Sequence, residues 1–127
     1  MILISFGTRP EYIKLKPIID IFTKERIPHK ILFTGQHTNL LPACATAGID
    51  YTLNIKDGRN RLDSIVSSVM NQSHIWIEPL RYVMVQGDTT SAFAVALAAF
   101  HRKVPVIHLE AGLRTYDNNN ISPSPPP

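Results

Sequence analysis

An α/β domain built on a doubly wound parallel sheet is the fold class that three features of the 127-residue sequence predict. Short apolar, partly β-branched strands alternate with helical stretches for most of the length. The strands are near-continuous apolar runs, as in sheets covered on both faces. Several of them run directly into polar turns, Gly7-Thr8-Arg9, Gly35-Gln36-His37, Gly87-Asp88 and Glu110, at the carboxyl edge where such sheets hold ligands.

Taken in order, Ile2–Phe6 is a short buried strand, and a helix follows from about Pro10 to Lys24. Thr8 and Glu11 have capping-box spacing, and Pro10 suits a first turn, where its missing N–H costs nothing. Leu15, Ile18, Ile19 and Phe22 form the core stripe, and Pro17 is expected to kink or distort the helix. His29–Thr34 is the second strand, Leu40–Ala47 a short helix stopped by Gly48, and Tyr51–Ile55 an edge strand. After the polar loop Lys56–Arg61, a longer helix runs from about Leu62 to Ile77, with Leu62, Ile65, Val66 and Val69 in register and Trp76 as core. Tyr82–Gln86, the Ala-rich Ser91–His101 and Val104–Leu109 then read as one strand–helix–strand unit, its nearly uncharged helix expected to be buried. Residues 1–117 read as one domain, and 118–127, ending in three prolines, as an extended or disordered tail.

Hydrophobic residues make up 44% and charged residues 18%, an ordinary globular balance, and 127 residues suffice for one core. A net charge of +3, scattered along the chain, argues against a nucleic-acid surface and suits a small anionic ligand. No apolar run approaches the roughly 20 residues that cross a bilayer, so no membrane association is expected. A single cysteine, Cys44, excludes an internal disulfide framework and fits a reducing, cytoplasmic setting. No metal-ligand cluster stands out among the histidines, and no cofactor is expected.

The candidate chemistry lies at the carboxyl edge. A glycine turn feeding a helix N-terminus can bind an anion through free N–H groups and the helix dipole, with Arg9 forking onto phosphate and Lys14 adding a point charge. The same residues also fit an ordinary tight turn with a solvated arginine. Asp88 and Glu110 leave neighbouring strands at this edge, as an acid pair or, alternatively, as an N-cap of the next helix and a partner for Arg114.

Four motifs, in this order, are Gly7-Thr8-Arg9-Pro10-Glu11-x-x-Lys14-Leu15-x-Pro17, Thr34-Gly35-Gln36-His37, Val85-Gln86-Gly87-Asp88-Thr89-Thr90-Ser91-Ala92 and His108-x-Glu110-Ala111-Gly112-Leu113-Arg114-Thr115. From Ile2 to Asp117 the sequence resembles the amino-terminal domain of the non-hydrolysing UDP-N-acetylglucosamine 2-epimerases. The resemblance implies a Rossmann-like domain, the first half of a glycosyltransferase-B-like fold whose second domain is absent here. It also implies interconversion of UDP-N-acetylglucosamine and UDP-N-acetylmannosamine by elimination and re-addition of UDP, without metal or nicotinamide. Carried over by motif, Asp88 and Glu110 are the catalytic residues. Gly7, Arg9, Lys14 and Arg114 bind substrate, and Gln36, His37 and Arg59 contact a second, regulatory UDP-N-acetylglucosamine. UDP is the other ligand, a homodimer through this domain is the expected assembly, and the isolated chain is expected to be inactive. The departures are that Ser124 stands where the family has an aromatic residue between prolines, and the glutamates that follow there are missing. The alternatives are a UDP-sugar or diphosphate-binding module without turnover, and the acceptor domain of a B-type glycosyltransferase.

Overall fold

A computed structural model describes residues 1–36, 48–56, 58–75 and 79–110. The expected helix 40–47, Cys44, His37, Trp76, Arg114 and the 118–127 tail lie outside the described residues. The described elements are β1 (Ile2–Phe6), α1 (Arg9–Lys24), β2 (His29–Phe33), β3 (Tyr51–Thr52), α2 (Arg61–Asn71), a 3-10 turn (Ser73–Ile75), β4 (Tyr82–Gln86), α3 (Thr90–His101) and β5 (Val106–Leu109).

All five strands are parallel, in the order β3-β2-β1-β4-β5. The chain first steps outward from β1 through β2 to β3, then returns to β4 on the other side of β1 and continues to β5. Right-handed crossovers therefore put α1 on one face and α2 and α3 on the other. Alternate strand residues feed the two cores. Ile4, Phe6, Ile31, Phe33 and Met84 meet Leu15 and Ile19 of α1, whereas Leu3, Leu32, Leu53, Val83 and Val85 meet Ile65, Val69, Val95 and the alanines of α3. The winding reverses between β1 and β4, and the carboxyl ends of these two strands flank the switch point where doubly wound sheets bind ligands.

Helix α1 carries Pro17 in its interior, and Pro17 faces solvent, so the carbonyl it leaves unbonded can be met by water. Three expectations need correction. The long helix ends at Asn71, not Ile77, because Gln72 turns its side chain onto Asn54, donating to its carbonyl at 2.6 Å and accepting from its amide at 3.0 Å. Leu62 of that helix is exposed, while Ser64 and Ser68 are buried; Ser68 Oγ accepts from the Lys56 amide at 3.0 Å, so this helix face serves the backbone leaving β3. Helix α3 is buried on one side only: Phe93 and Phe100 are 59% and 75% exposed.

Candidate active site

The turn after β1 is held from within. Thr8 caps α1, and Glu11, three residues on, returns its side chain to complete the capping box. The Glu11 carboxylate does more than the box requires: Oε2 accepts from the Gly7 amide at 2.6 Å and the Thr8 amide at 2.9 Å. Two of the N–H groups expected to face a ligand are thus already occupied by the protein's own carboxylate. Arg9 stands beside the cap and Lys14 one turn further along α1, both exposed. Gly7 is needed for space. A Cβ there would fall on Thr34 Oγ1 and within 2.7 Å of Ser91 Oγ.

Glu110 follows β5 directly, and Asp88 stands two residues beyond β4; the strands' last residues, Gln86 and Leu109, are paired in register. Lys14 Nζ reaches Glu110 Oε2 at 2.5 Å across 96 residues of sequence, and the buried Gln86 donates its Nε2–H to the same oxygen at 2.8 Å. The second oxygen, Oε1, has no partner among the described residues. Two donors on one oxygen fix the carboxylate's direction. Glu110 also holds a left-handed backbone, φ 57°, a conformation that costs a side-chain-bearing residue roughly 1–2 kcal/mol. Strain of this kind persists where the surroundings over-determine it, typically at functional positions.

Asp88 is exposed and makes no side-chain hydrogen bond or ion pair among the described residues. It does not cap α3: that role belongs to Thr89, whose Oγ1 accepts from the Ala92 amide at 3.1 Å. Gly87, with φ 76°, makes the turn that carries Asp88 off the sheet, its amide donating to the Leu109 carbonyl at 2.8 Å. His108 Nε2 approaches the Gly87 carbonyl at 2.5 Å, which requires the ring nitrogen to be the donor. Glu110 is paired with Lys14 and Gln86; Arg114, its alternative partner, lies outside the described residues.

Of the residues expected at a regulatory site, Gln36 accepts through Oε1 from the Ser91 amide at 3.2 Å and from the Ser91 hydroxyl, so it secures the first turn of α3. Its carbonyl accepts from Arg61 Nη2 at 2.9 Å. Arg59 is exposed. Sequence reasoning missed Glu11 beyond its capping role, Gln86, Thr89, Ser91 and Arg61; only the capping-box spacing pointed at one of them. Among the described residues no group of three or more His, Cys, Asp or Glu is placed to hold a metal ion, and no helix is long and apolar enough to cross a membrane.

Fold and edge together define a Rossmann-like α/β domain whose switch point gathers cationic and carboxylate side chains. The family model described as UDP-N-acetylglucosamine 2-epimerase matches residues 20–124. The UDP-N-acetylglucosamine 2-epimerase of Neisseria meningitidis is 40% identical over 130 residues, covering 98% of this chain and 34% of the relative. That of Escherichia coli K12 is 36% identical over 122 residues, covering 91% and 32%. Among solved structures, the Neisseria meningitidis enzyme bound to UDP-GlcNAc superposes with a TM-score of 0.80 at 37% identity, over 97% of this chain and 35% of that one. The Methanocaldococcus jannaschii enzyme in complex with UDP-GlcNAc and UDP gives 0.79 at 35% identity, over 93% and 34%. This chain belongs to the UDP-N-acetylglucosamine 2-epimerase family, a family of isomerases, and it spans about a third of the length of the relatives it matches.

Proposed function

We propose that this chain supplies the diphosphate-binding and acid–base half of a UDP-N-acetylglucosamine 2-epimerase. The observation that carries the reading is the convergence of Lys14 and Gln86 on one oxygen of Glu110 at the switch-point edge. The C2 proton of the sugar is not next to a ring carbonyl, so direct abstraction is too far uphill; elimination is the workable route. The C1–O bond to UDP breaks, the C2 proton passes to a carboxylate, and 2-acetamidoglucal and UDP result. UDP then adds back at C1 while a proton is delivered to the other face of C2.

Arg9, Lys14 and Arg114 neutralise the departing diphosphate, and Gly7 lets the turn close against Thr34 and Ser91. Asp88 and Glu110 stabilise the developing sugar cation and carry the protons. Lys14 links the two tasks, since one ammonium can bridge a phosphate oxygen and Glu110. Gln36, His37 and Arg59 are the contacts for a regulatory second UDP-N-acetylglucosamine; a ligand engaging the Gln36 side chain would compete with Ser91 for it. A cytoplasmic location goes with this reading. The second reading is a UDP-binding module without turnover, a role that the exposed Arg9 and Lys14 at the start of α1 would serve by themselves.

Incubation of the 127-residue chain with UDP-N-acetylglucosamine in heavy water should leave C2 protonated, while titration with UDP should show saturable binding. Deuterium at C2 would refute the expected inactivity of the chain alone. No binding at millimolar UDP would remove the diphosphate role from Arg9 and Lys14.

Homodimerisation through α3 completes the proposal. This helix is apolar nearly all round, and such helices are normally buried. Phe93 and Phe100 protrude, and a hollow of about 640 Å³ beside Phe100 is lined by His101, Lys103, Val104 and Pro105. Phe93→Asp with Phe100→Asp should convert a dimer to a monomer in sedimentation, while the monomer's own stability moves by only about 0.5 kcal/mol, as for exposed sites. A double variant that sediments like the unaltered chain would exclude α3 as the interface.

A further inference from the structure

We infer that Glu11 is a positioning residue that fixes the turn bearing Arg9 to the turn bearing Asp88. The inference rests on the proposed role of these turns in binding the diphosphate and moving the proton. Glu11 is 2% exposed, and both its oxygens are used. Oε2 accepts the amides of Gly7 and Thr8, and Oε1 accepts the Thr89 hydroxyl, 78 residues away in sequence. Thr89 in turn accepts the Ala92 amide through the same hydroxyl oxygen. An unbroken chain of bonds therefore runs from the α1 cap through one carboxylate to the α3 cap.

A capping box alone would be served by glutamine as well as glutamate. Here the acceptor must take three donors, two amides and a hydroxyl. Glutamine offers one carbonyl oxygen and turns an NH2 group toward Thr89, whose hydroxyl oxygen already accepts from Ala92. The hydroxyl proton would then lose its acceptor. Arg9 directly follows Thr8 and Asp88 directly precedes Thr89, so the carboxylate sits between the backbone segments that aim the cation and the acid. It also occupies the amides that a phosphate would otherwise seek, which keeps the diphosphate on the side chains of Arg9 and Lys14.

The test uses the full chain and its Thr89→Val, Thr89→Ser and Glu11→Gln variants, with UDP as the ligand. Thr89→Val keeps the volume and removes the donor, whereas Thr89→Ser keeps it. In amide NMR spectra the Gly7 and Thr8 signals should move, and their hydrogen exchange quicken, in Thr89→Val but not in Thr89→Ser. Gly7 and Thr8 signals unmoved in Thr89→Val overturn the bridge, whether or not UDP binds. UDP affinity should fall about tenfold in Thr89→Val and Glu11→Gln and be retained in Thr89→Ser. A moved Gly7 signal with unchanged UDP affinity leaves Glu11 merely structural and overturns its positioning role. A wild-type chain that fails to bind UDP defeats the diphosphate reading instead, and the NMR comparison still decides the bridge.

Discussion

Gly7→Ala should destabilise the chain by about 3 kcal/mol or prevent it from folding, although alanine adds one methyl group. The methyl would fall on Thr34 Oγ1 and crowd Ser91 Oγ at 2.7 Å and Ser91 Cβ at 3.1 Å. Neither neighbour has room to yield. Thr34 is fully buried, and its hydroxyl lies 3.5 Å from the Phe6 carbonyl; rotating it would drive another heavy atom into packed surroundings. Ser91 is buried in the first turn of α3 and tied to Gln36 through both its amide and its hydroxyl. Relief would require β1 and α3 to separate, which opens the core around Val83, Val85 and Val95. In thermal unfolding the expected cost corresponds to a Tm lowered by roughly 10 °C or more for a domain of this size. Thr34→Ala introduced alongside it should return about 1 kcal/mol or more, because the two sites share one volume. An unchanged Tm for Gly7→Ala would mean that β1 and α3 do not approach as described.

The features legible from sequence are those governed by neighbours in sequence. Thr8 and Glu11 announce a helix start because the capping box closes within four residues. The mostly apolar stretches 2–6, 31–33 and 83–85 lie in strands, and a sheet covered on both faces buries such runs. The doubly wound class follows from strands alternating with helices, whereas the strand order β3-β2-β1-β4-β5 is seen only in the fold. What failed depended on distant partners. Asp88 and Thr89 are both good capping residues, and the choice of Thr89 is set by the turn at Gly87 and the acceptor offered by Glu11. Ser68 and Gln72 look like solvent-facing helix residues, yet they face inward because the backbone of Asn54 and Lys56 needs partners there.

The site shows the same division. That Asp88 and Glu110 leave adjacent strands was readable from the strand–helix–strand pattern. That Lys14 and Gln86 share one oxygen of Glu110 was not, since the first contact spans 96 residues and depends on the angle at which α1 crosses the sheet. The strain at Glu110 was equally invisible, because glutamate has no preference for a left-handed backbone and nothing in the sequence marks the position.

That strain gives a way to separate a functional Glu110 from a structural one. Glu110→Gly should leave the stability of the chain nearly unchanged, while lowering the rate of epimerase chemistry by orders of magnitude. Glycine adopts φ 57° freely, which removes a cost of roughly 1–2 kcal/mol. Against this stands the lost pair with Lys14, and both its side chains are more than a third exposed, so its contribution lies in the range of about 0–1 kcal/mol. Gln86 loses one acceptor, which costs about 1 kcal/mol. These changes nearly cancel. Activity is read by C2 deuterium uptake after the chain is joined to the remaining two-thirds of a relative, and loss of a proton-transferring carboxylate should lower the rate by about 10²–10⁴-fold. Glu110→Gln, which keeps the strain and a partner for Gln86 but removes the charge, should lose a similar factor. A glycine variant that unfolds several degrees lower yet keeps its exchange rate would show that Glu110 holds β5 to α1 and takes no part in the chemistry. A variant as stable as the parent and inactive would show that the fold tolerates a strained residue here for what its carboxylate does.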